Sequence, residues 1–287
     1  MADNQFSPSV ATRGIQLPLI APLRHPLPMT AVEPKGVVYT KRWVVELLLD
    51  LSGYCSDKNL VDALAATPDG ARLYFIDTDF FVDVLPLVDK NAFLAYYDLA
   101  TATVVPVGEI TEVGVPFIGI DQAAFSPDGT FFVTNTYDDT LHIIDPATAE
   151  ATLVGQPVLQ GTDAVLDISG SDIAFAADGT LYIWINRTRG EALRGLYTLS
   201  LPSENGIVNA TFLGGGDSTD IRPFRGLALR GNGTGDIVGY TQAPTIRIVS
   251  KTDGSTVLDL PMFLDNGDPF PAEAQNAGDM SIGPFAP

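Results

Sequence analysis

Four aspartates carry most of the chemistry this sequence could perform. Asp62, Asp121, Asp172 and Asp279 each head a short, largely apolar stretch: Asp62-Ala-Leu-Ala, Asp121-Gln-Ala-Ala-Phe, Asp172-Ile-Ala-Phe and Asp279-Met-Ser-Ile. A further stretch, Gly226-Leu-Ala-Leu, has glycine at that position and Arg225 just before it. Brought to one place, the carboxylates would form an oxygen-only ligand set, which suits Ca²⁺ or Mg²⁺ better than Zn²⁺. A cation held there could activate water and polarise a carbonyl. Unit charges about 4 Å apart repel by roughly 4 kcal/mol at an effective dielectric of 20, so something must offset the ring. The candidates are a bound cation, Arg225, a shared proton, or hydrogen bonds from backbone amides. The last needs no ligand, because an Asp recurring from repeat to repeat can simply cap backbone N–H groups of its neighbour. Both readings, metal site and repeat-wide cap, stay open at this point.

Other chemical signals are thin. There is no Gly-x-Ser-x-Gly elbow, no Gly-rich phosphate loop leading into a helix and no Cys-x-x-Cys. His25 and His142 share no motif, which argues against a histidine zinc site, and the single Cys55 excludes an internal disulfide. Asp217 and Asp220, in an acidic, glycine-rich stretch, could bind a cation, but the stretch reads first as an ordinary interblade loop. The acceptor patterns at Asn186, Asn209 and Asn232 read as accidental without an export signal. Trp43, Trp184, Tyr96 and Tyr97 read as packing residues.

The elements that must position the aspartates are strands. Residues 120–155 hold four segments of strand character: 121–125, 130–136, 141–145 and 151–155. Ser126-Pro127-Asp128-Gly129 makes a tight turn after the first, with glycine where positive φ is needed. The pattern recurs upstream at 61–70, 72–77, 93–98 and 103–108, and downstream at 171–179, 180–186, 195–201 and 210–214. A fainter copy occupies 225–233, 236–240, 245–250 and 256–260. Turn glycines at 70, 129, 179 and 233 are spaced by 59, 50 and 54 residues. Four antiparallel strands in about 40 residues are the repeating unit of radial propeller folds, whose first strands line a central channel.

A fifth unit is split between the ends. Residues 278–284 read as a first strand, and 36–40 with 43–49 supply outer strands, so the termini would close the ring inside one blade. The sequence therefore predicts an all-β, five-bladed β-propeller over residues 36–287, with six blades as the alternative if further strands lie between Ile15 and Leu51. Residues 1–35 differ in composition: six prolines punctuate Leu17, Leu19, Ile20, Leu23 and Leu27, which predicts an extended arm docked through those side chains, either as a strap across its own propeller or on a neighbouring subunit. The arm carries net charge +1, against −20 for the rest.

The chain has 287 residues, 46% of them hydrophobic, enough for a sizeable core in one domain. A net charge of −19 argues against nucleic acid and anionic membranes as partners. No apolar run reaches membrane-span length and the start lacks a signal-peptide pattern, so the chain as written reads as cytoplasmic, or exported if a signal has been removed.

Repeats of the form Asp-Ile-Ala-Phe-x-x-Asp-Gly-Thr-Leu-Tyr, as at 172–182, resemble those of the NHL, YVTN and SMP-30/gluconolactonase-like propellers. The resemblance covers roughly 250 residues and implies the fold; for function it implies a range that runs from ligand binders and scaffolds to lactonases and hydrolases. Two expectations follow. One is a non-catalytic binding or assembly module that contacts itself or another protein through its faces and arm. The other is a divalent-cation-dependent lactonase or hydrolase using the channel-mouth aspartates. The near-uniform Asp ring departs from the mixed Glu, Asn and Asp ligands that the enzymes of this group imply, which favours the binding module.

Overall fold

The structure is a computed structural model, described for residues 63–77, 91–187, 190, 192–201, 206–215, 224–230, 235–241 and 245–261. These all belong to one unit spanning 48–287. They form four antiparallel meanders of four strands each. The first is β1 (Ala63–Ala66), β2 (Arg72–Asp77), β3 (Phe93–Asp98) and β4 (Thr103–Glu109). A small hairpin follows, β5 (Thr111–Glu112) with β6 (Val115–Pro116), which the sequence reading did not anticipate. The second meander is β7 (Ile120–Phe125), β8 (Phe131–Asn135), β9 (Thr140–Ile144) and β10 (Ala151–Leu159). The third is β11 (Asp172–Phe175), β12 (Leu181–Ile185), β13 (Gly195–Ser200) and β14 (Ile207–Gly214). The fourth is β15 (Phe224–Leu229), β16 (Ile237–Thr241), β17 (Thr245–Val249) and β18 (Thr256–Pro261).

The first strands touch in succession, β1 to β7, β7 to β11 and β11 to β15, which is the radial arrangement of a β-propeller. The burial gradient explains why inner strands read as continuous apolar runs. Every residue of β8, β11 and β12 is buried, whereas every residue of β18 is exposed. Between blades lie three apolar layers. Tyr74 meets Phe125 and Phe131 between the first and second blades, with ring centroids 5.4 and 5.7 Å away. Phe132 meets Phe175 at 5.0 Å between the second and third, and Trp184 meets Phe224 at 4.7 Å between the third and fourth. Such aromatic pairs each add about 0.5–1.5 kcal/mol beyond the area they bury.

The turns after the first strands repeat as expected. The N–H groups of Gly70, Gly129 and Gly179 donate to the carbonyls of Thr67, Ser126 and Ala176 at 2.8, 2.9 and 3.0 Å. The aspartate before each glycine accepts the N–H of Ala71, Thr130 or Thr180 at 2.9, 3.2 and 2.9 Å. These carboxyls are held below the usual carboxylate range, first by the Thr67 hydroxyl at Asp69, the Ser126 hydroxyl at Asp128 and the Thr180 amide at Asp178. In the fourth blade Gly233 lies outside the described residues, and the Gly235 N–H donates to the Arg230 carbonyl at 2.8 Å.

Outer strands differ from expectation in length. β10 runs to Leu159 because its second half leaves its own blade: residues 156–159 pair in parallel with 207–210 of β14. Gly155 marks the switch, since a Cβ there would lie 2.1 Å from the Gly206 carbonyl oxygen. The same contact recurs one blade on, where a Cβ at Gly214 would lie 2.2 Å from the Asp253 carbonyl oxygen. Adjacent blades are thus clasped at their rims, backbone on backbone.

The strands expected at 36–49 and 278–284, and with them the fifth blade and its closure, lie outside the described residues, as does the arm with Leu17, Leu19, Ile20, Leu23 and Leu27. Among the described residues no helix is long and apolar enough to cross a membrane.

Candidate functional site: the blade end at Asp121, Asp172 and Tyr137

Two of the four ring aspartates can be placed. Asp121 and Asp172 lie at the same end of consecutive inner strands, β7 and β11. Asp62 and Asp279 lie outside the described residues, and for Arg225 only the backbone, in β15, is described. The Oδ2 of Asp121 accepts the N–H of Gly170 at 2.9 Å, just before the next inner strand. Asp172 is fully buried; its Oδ1 accepts its neighbour Ile173 N–H at 2.7 Å, and its Oδ2 accepts the N–H of Leu227 in the next blade. Each carboxylate therefore reaches forward by one blade to a backbone amide.

Neighbouring polar groups extend this stitching. The Asn186 side chain receives the Phe224 N–H at 2.8 Å and donates to the carbonyls of Phe224, at 2.8 Å, and Gly170. Its amide is committed between the third and fourth blades. Asp139 Oδ1 accepts the N–H of Ile168 at 3.1 Å. Among the described residues three buried side-chain oxygens have no protein hydrogen-bond partner: Gln122 Oε1, Thr134 Oγ1 and Ser171 Oγ. Gln122 and Thr134 are cross-strand partners, and Ser171 follows Gly170. Buried oxygens of this kind are ordinarily satisfied by water or an ion. Among the described residues no three His, Cys, Asp or Glu side chains are grouped as a metal centre would need.

The same end opens into a cleft of about 400 Å³ between the second and third blades, lined in part by Tyr137, Asp138, Asp139, Gln156, Val165 and Gly190. Tyr137 is 71% exposed, an unusual state for a large aromatic. Its ring lies on the backbone of Gly119, where a Cβ would come within 2.5 Å of Tyr137 Cδ2. Its own N–H donates to Asn135 Oδ1 at 2.9 Å, and the preceding Thr136 N–H donates to the Gly119 carbonyl at 2.8 Å. Gln156 Nε2 holds the Asp138 carbonyl at 3.1 Å, and Asp139 sits at φ 53°. The ring is exposed but its mounting is fixed. Sequence reasoning took 138–139 only as a turn; the exposed Tyr beside two aspartates was the available signal, but Gly119 and Gln156, distant in sequence, complete the cleft.

His142 lies nearby and is buried, 4.5 Å from the Phe117 ring centroid, with Nε2 3.4 Å from Glu112 Oε1. Burial pushes its imidazole below the ordinary value, and the Glu112 carboxylate opposes that shift. The hairpin absent from the sequence reading is what brings Glu112 there.

No protein-family model matches the chain, and no curated protein matches it. Solved structures with a similar backbone include hydrazine synthase of Kuenenia stuttgartiensis, at 13% identity over 74% of this chain and 54% of that one, with a TM-score of 0.40. TolB of Acinetobacter baumannii is 18% identical over 73% of this chain and 47% of that one, TM-score 0.43. A structural-genomics protein of unknown function from Bacteroides thetaiotaomicron is 14% identical over 77% and 54%, TM-score 0.47. The chain thus spans about half the length of these three proteins. Its propeller fold rests on its own blade geometry, and no activity carries over from them.

Proposed function

We propose that this propeller is a non-catalytic binding module, whose contact site is the cleft at Tyr137 and whose residues 1–35 mediate self-assembly. The observation that carries the reading is the use of the two described ring aspartates: both hold backbone amides of the next blade, an architectural task. The fixed aromatic in the cleft is, by contrast, poorly explained by folding, because burying such a ring would stabilise the chain more than exposing it. For the arm, five apolar side chains at about 1.5–3 kcal/mol each would offset much of the cost of ordering a proline-stiffened segment. An assay of lactone hydrolysis with Ca²⁺ or Mg²⁺ tests the catalytic half of this statement. Turnover above background that is lost in Asp121→Asn would overturn it. Light scattering tests the assembly half, with the chain lacking residues 1–35 expected to be the smaller species per protomer count; equal oligomeric states would remove the arm's role.

A second reading has one observation in its favour. Gln122 Oε1, Thr134 Oγ1 and Ser171 Oγ are buried oxygens of the kind that ligate Ca²⁺ or Mg²⁺, and a cation held by them would restore the metal-dependent hydrolase expectation.

A further inference from the structure

We propose that the Tyr137 cleft takes an alkylammonium cation, whether a free amine or a lysine side chain. The inference rests on the binding-module reading and adds the chemistry of the ligand. Three features of the cleft converge on a cation. Its aromatic wall is fixed in the solvent-exposed position: the ring is seated on Gly119 and the Tyr137 N–H is tied to Asn135. The face of an aromatic ring attracts cations through its quadrupole, and more strongly than it attracts a neutral group of equal size. Beside the ring stand two carboxylates of different status. Asp138 is exposed and lines the cleft, while the buried Asp139 is tethered to Ile168 and fixes the turn.

The third feature is selectivity. Among the described lining residues none is basic, and Ala164 and Val165 provide an apolar wall against which an alkyl chain can lie. An anion would meet the exposed Asp138 carboxylate. A neutral polyol would find one ring but would leave the carboxylate without an ionic partner. An alkylammonium satisfies ring, carboxylate and apolar wall together. The acidity of the whole chain, −19, would raise the local concentration of any cation.

The experiment is an NMR titration of the full chain at low ionic strength with three probes: n-butylammonium, Nα-acetyl-lysine methylamide, and the neutral Nα,Nε-diacetyl-lysine methylamide. Both cations should shift the Tyr137 and Asp138 resonances saturably, and the neutral probe should not. If butylammonium alone binds, the source is a free amine; tighter binding of the lysine derivative points to a protein partner. Tyr137→Phe should bind as the parent does, because the ring face and not the hydroxyl is used. Tyr137→Leu, which keeps the apolar contact with Gly119, should weaken binding about tenfold. Asp138→Asn should weaken it several-fold and reduce its salt dependence. No saturable shift with either cation, equal binding of the neutral probe, or unchanged affinity in folded Tyr137→Leu would each overturn the proposal. Equal binding of the neutral probe would leave the binding-module reading standing, whereas that reading fails separately, through lactone turnover.

Discussion

The carboxylate of Asp121 and the backbone N–H of Gly170 are 2.9 Å apart across a boundary between blades, although 49 residues separate them in the chain. Asp172 makes the corresponding reach to Leu227, 55 residues on. The two donors are not at equivalent positions: Gly170 precedes its blade's first strand, and Leu227 lies within β15. What repeats is the direction, each aspartate binding the blade that follows. A charged acceptor on a neutral N–H is about twice as strong as a neutral pair, so this is an effective place to spend a carboxylate on architecture.

Removing these acceptors should destabilise the fold unequally. Asp172→Ala leaves two buried N–H groups without this acceptor, and should cost about 3 kcal/mol in urea unfolding; Asp121→Ala, at a partly exposed site, should cost about 1–2 kcal/mol. Equal or negligible losses would show that the stitching does not support the fold.

The rim clasp makes a second ranking. Gly155→Ala must displace the Gly206 backbone and should cost about 2–4 kcal/mol. Gly129→Ala meets open space and bears only the strain of φ 90°, so about 1 kcal/mol is expected. Melting both variants checks the order. A reversal would mean that β10 and β14 are not held together as described.

Acidification should act in two steps. The His142 pKa is lowered in the folded chain, so below the ordinary histidine value of about 6.5 the unfolded chain binds a proton that the folded chain refuses. Its contribution is complete above that value and is lost as pH falls toward the folded pKa. His142→Gln should flatten the stability profile in that window. At lower pH, Asp69, Asp128 and Asp178 have depressed folded pKa values, so their contribution is present above about 3.9 and is lost as pH falls through those values. These carboxylates are largely exposed, which makes their step the shallower per residue. A profile unchanged by His142→Gln between pH 7 and 5 would contradict the first step.

The expected closure of the ring by the termini is open to a direct test. Deleting residues 278–287 should expose a sheet edge beside the strands expected at 36–49, and should lower stability by several kcal/mol or cause aggregation. An unchanged melting temperature would count against closure.

Much of this molecule was legible one strand at a time. The expected strands 72–77 and 93–98 coincide with β2 and β3, because alternating aromatic and β-branched residues bounded by Asp and Gly turns leave little choice of end. The expected ends of β10 and β14 fell short because their extra residues pair with each other, and parallel pairing between blades has no local signature. Asp121 and Asp172 stood out as a repeated register, yet their amide partners, Gly170 and Leu227, are visible only once the blades are side by side. Tyr137 was hidden in another way. A turn of Tyr, Asp and Asp reads as a turn, and its role as the wall of a cleft depends on Gly119, Gln156 and Val165 arriving from three other segments.

The central claim is that the inner aspartates hold blades together and do not hold a catalytic metal. Urea unfolding of the parent chain and of Asp121→Asn, each in excess Ca²⁺ and in chelator, tests it most directly. The account predicts that Asp121→Asn is the less stable by the same margin in both solutions and that neither protein responds to Ca²⁺. A cation bound only by the folded chain would stabilise it by about 2.7 kcal/mol at a hundredfold excess over its Kd. A Ca²⁺-dependent gain of that order in the parent chain, abolished in Asp121→Asn, would contradict the claim.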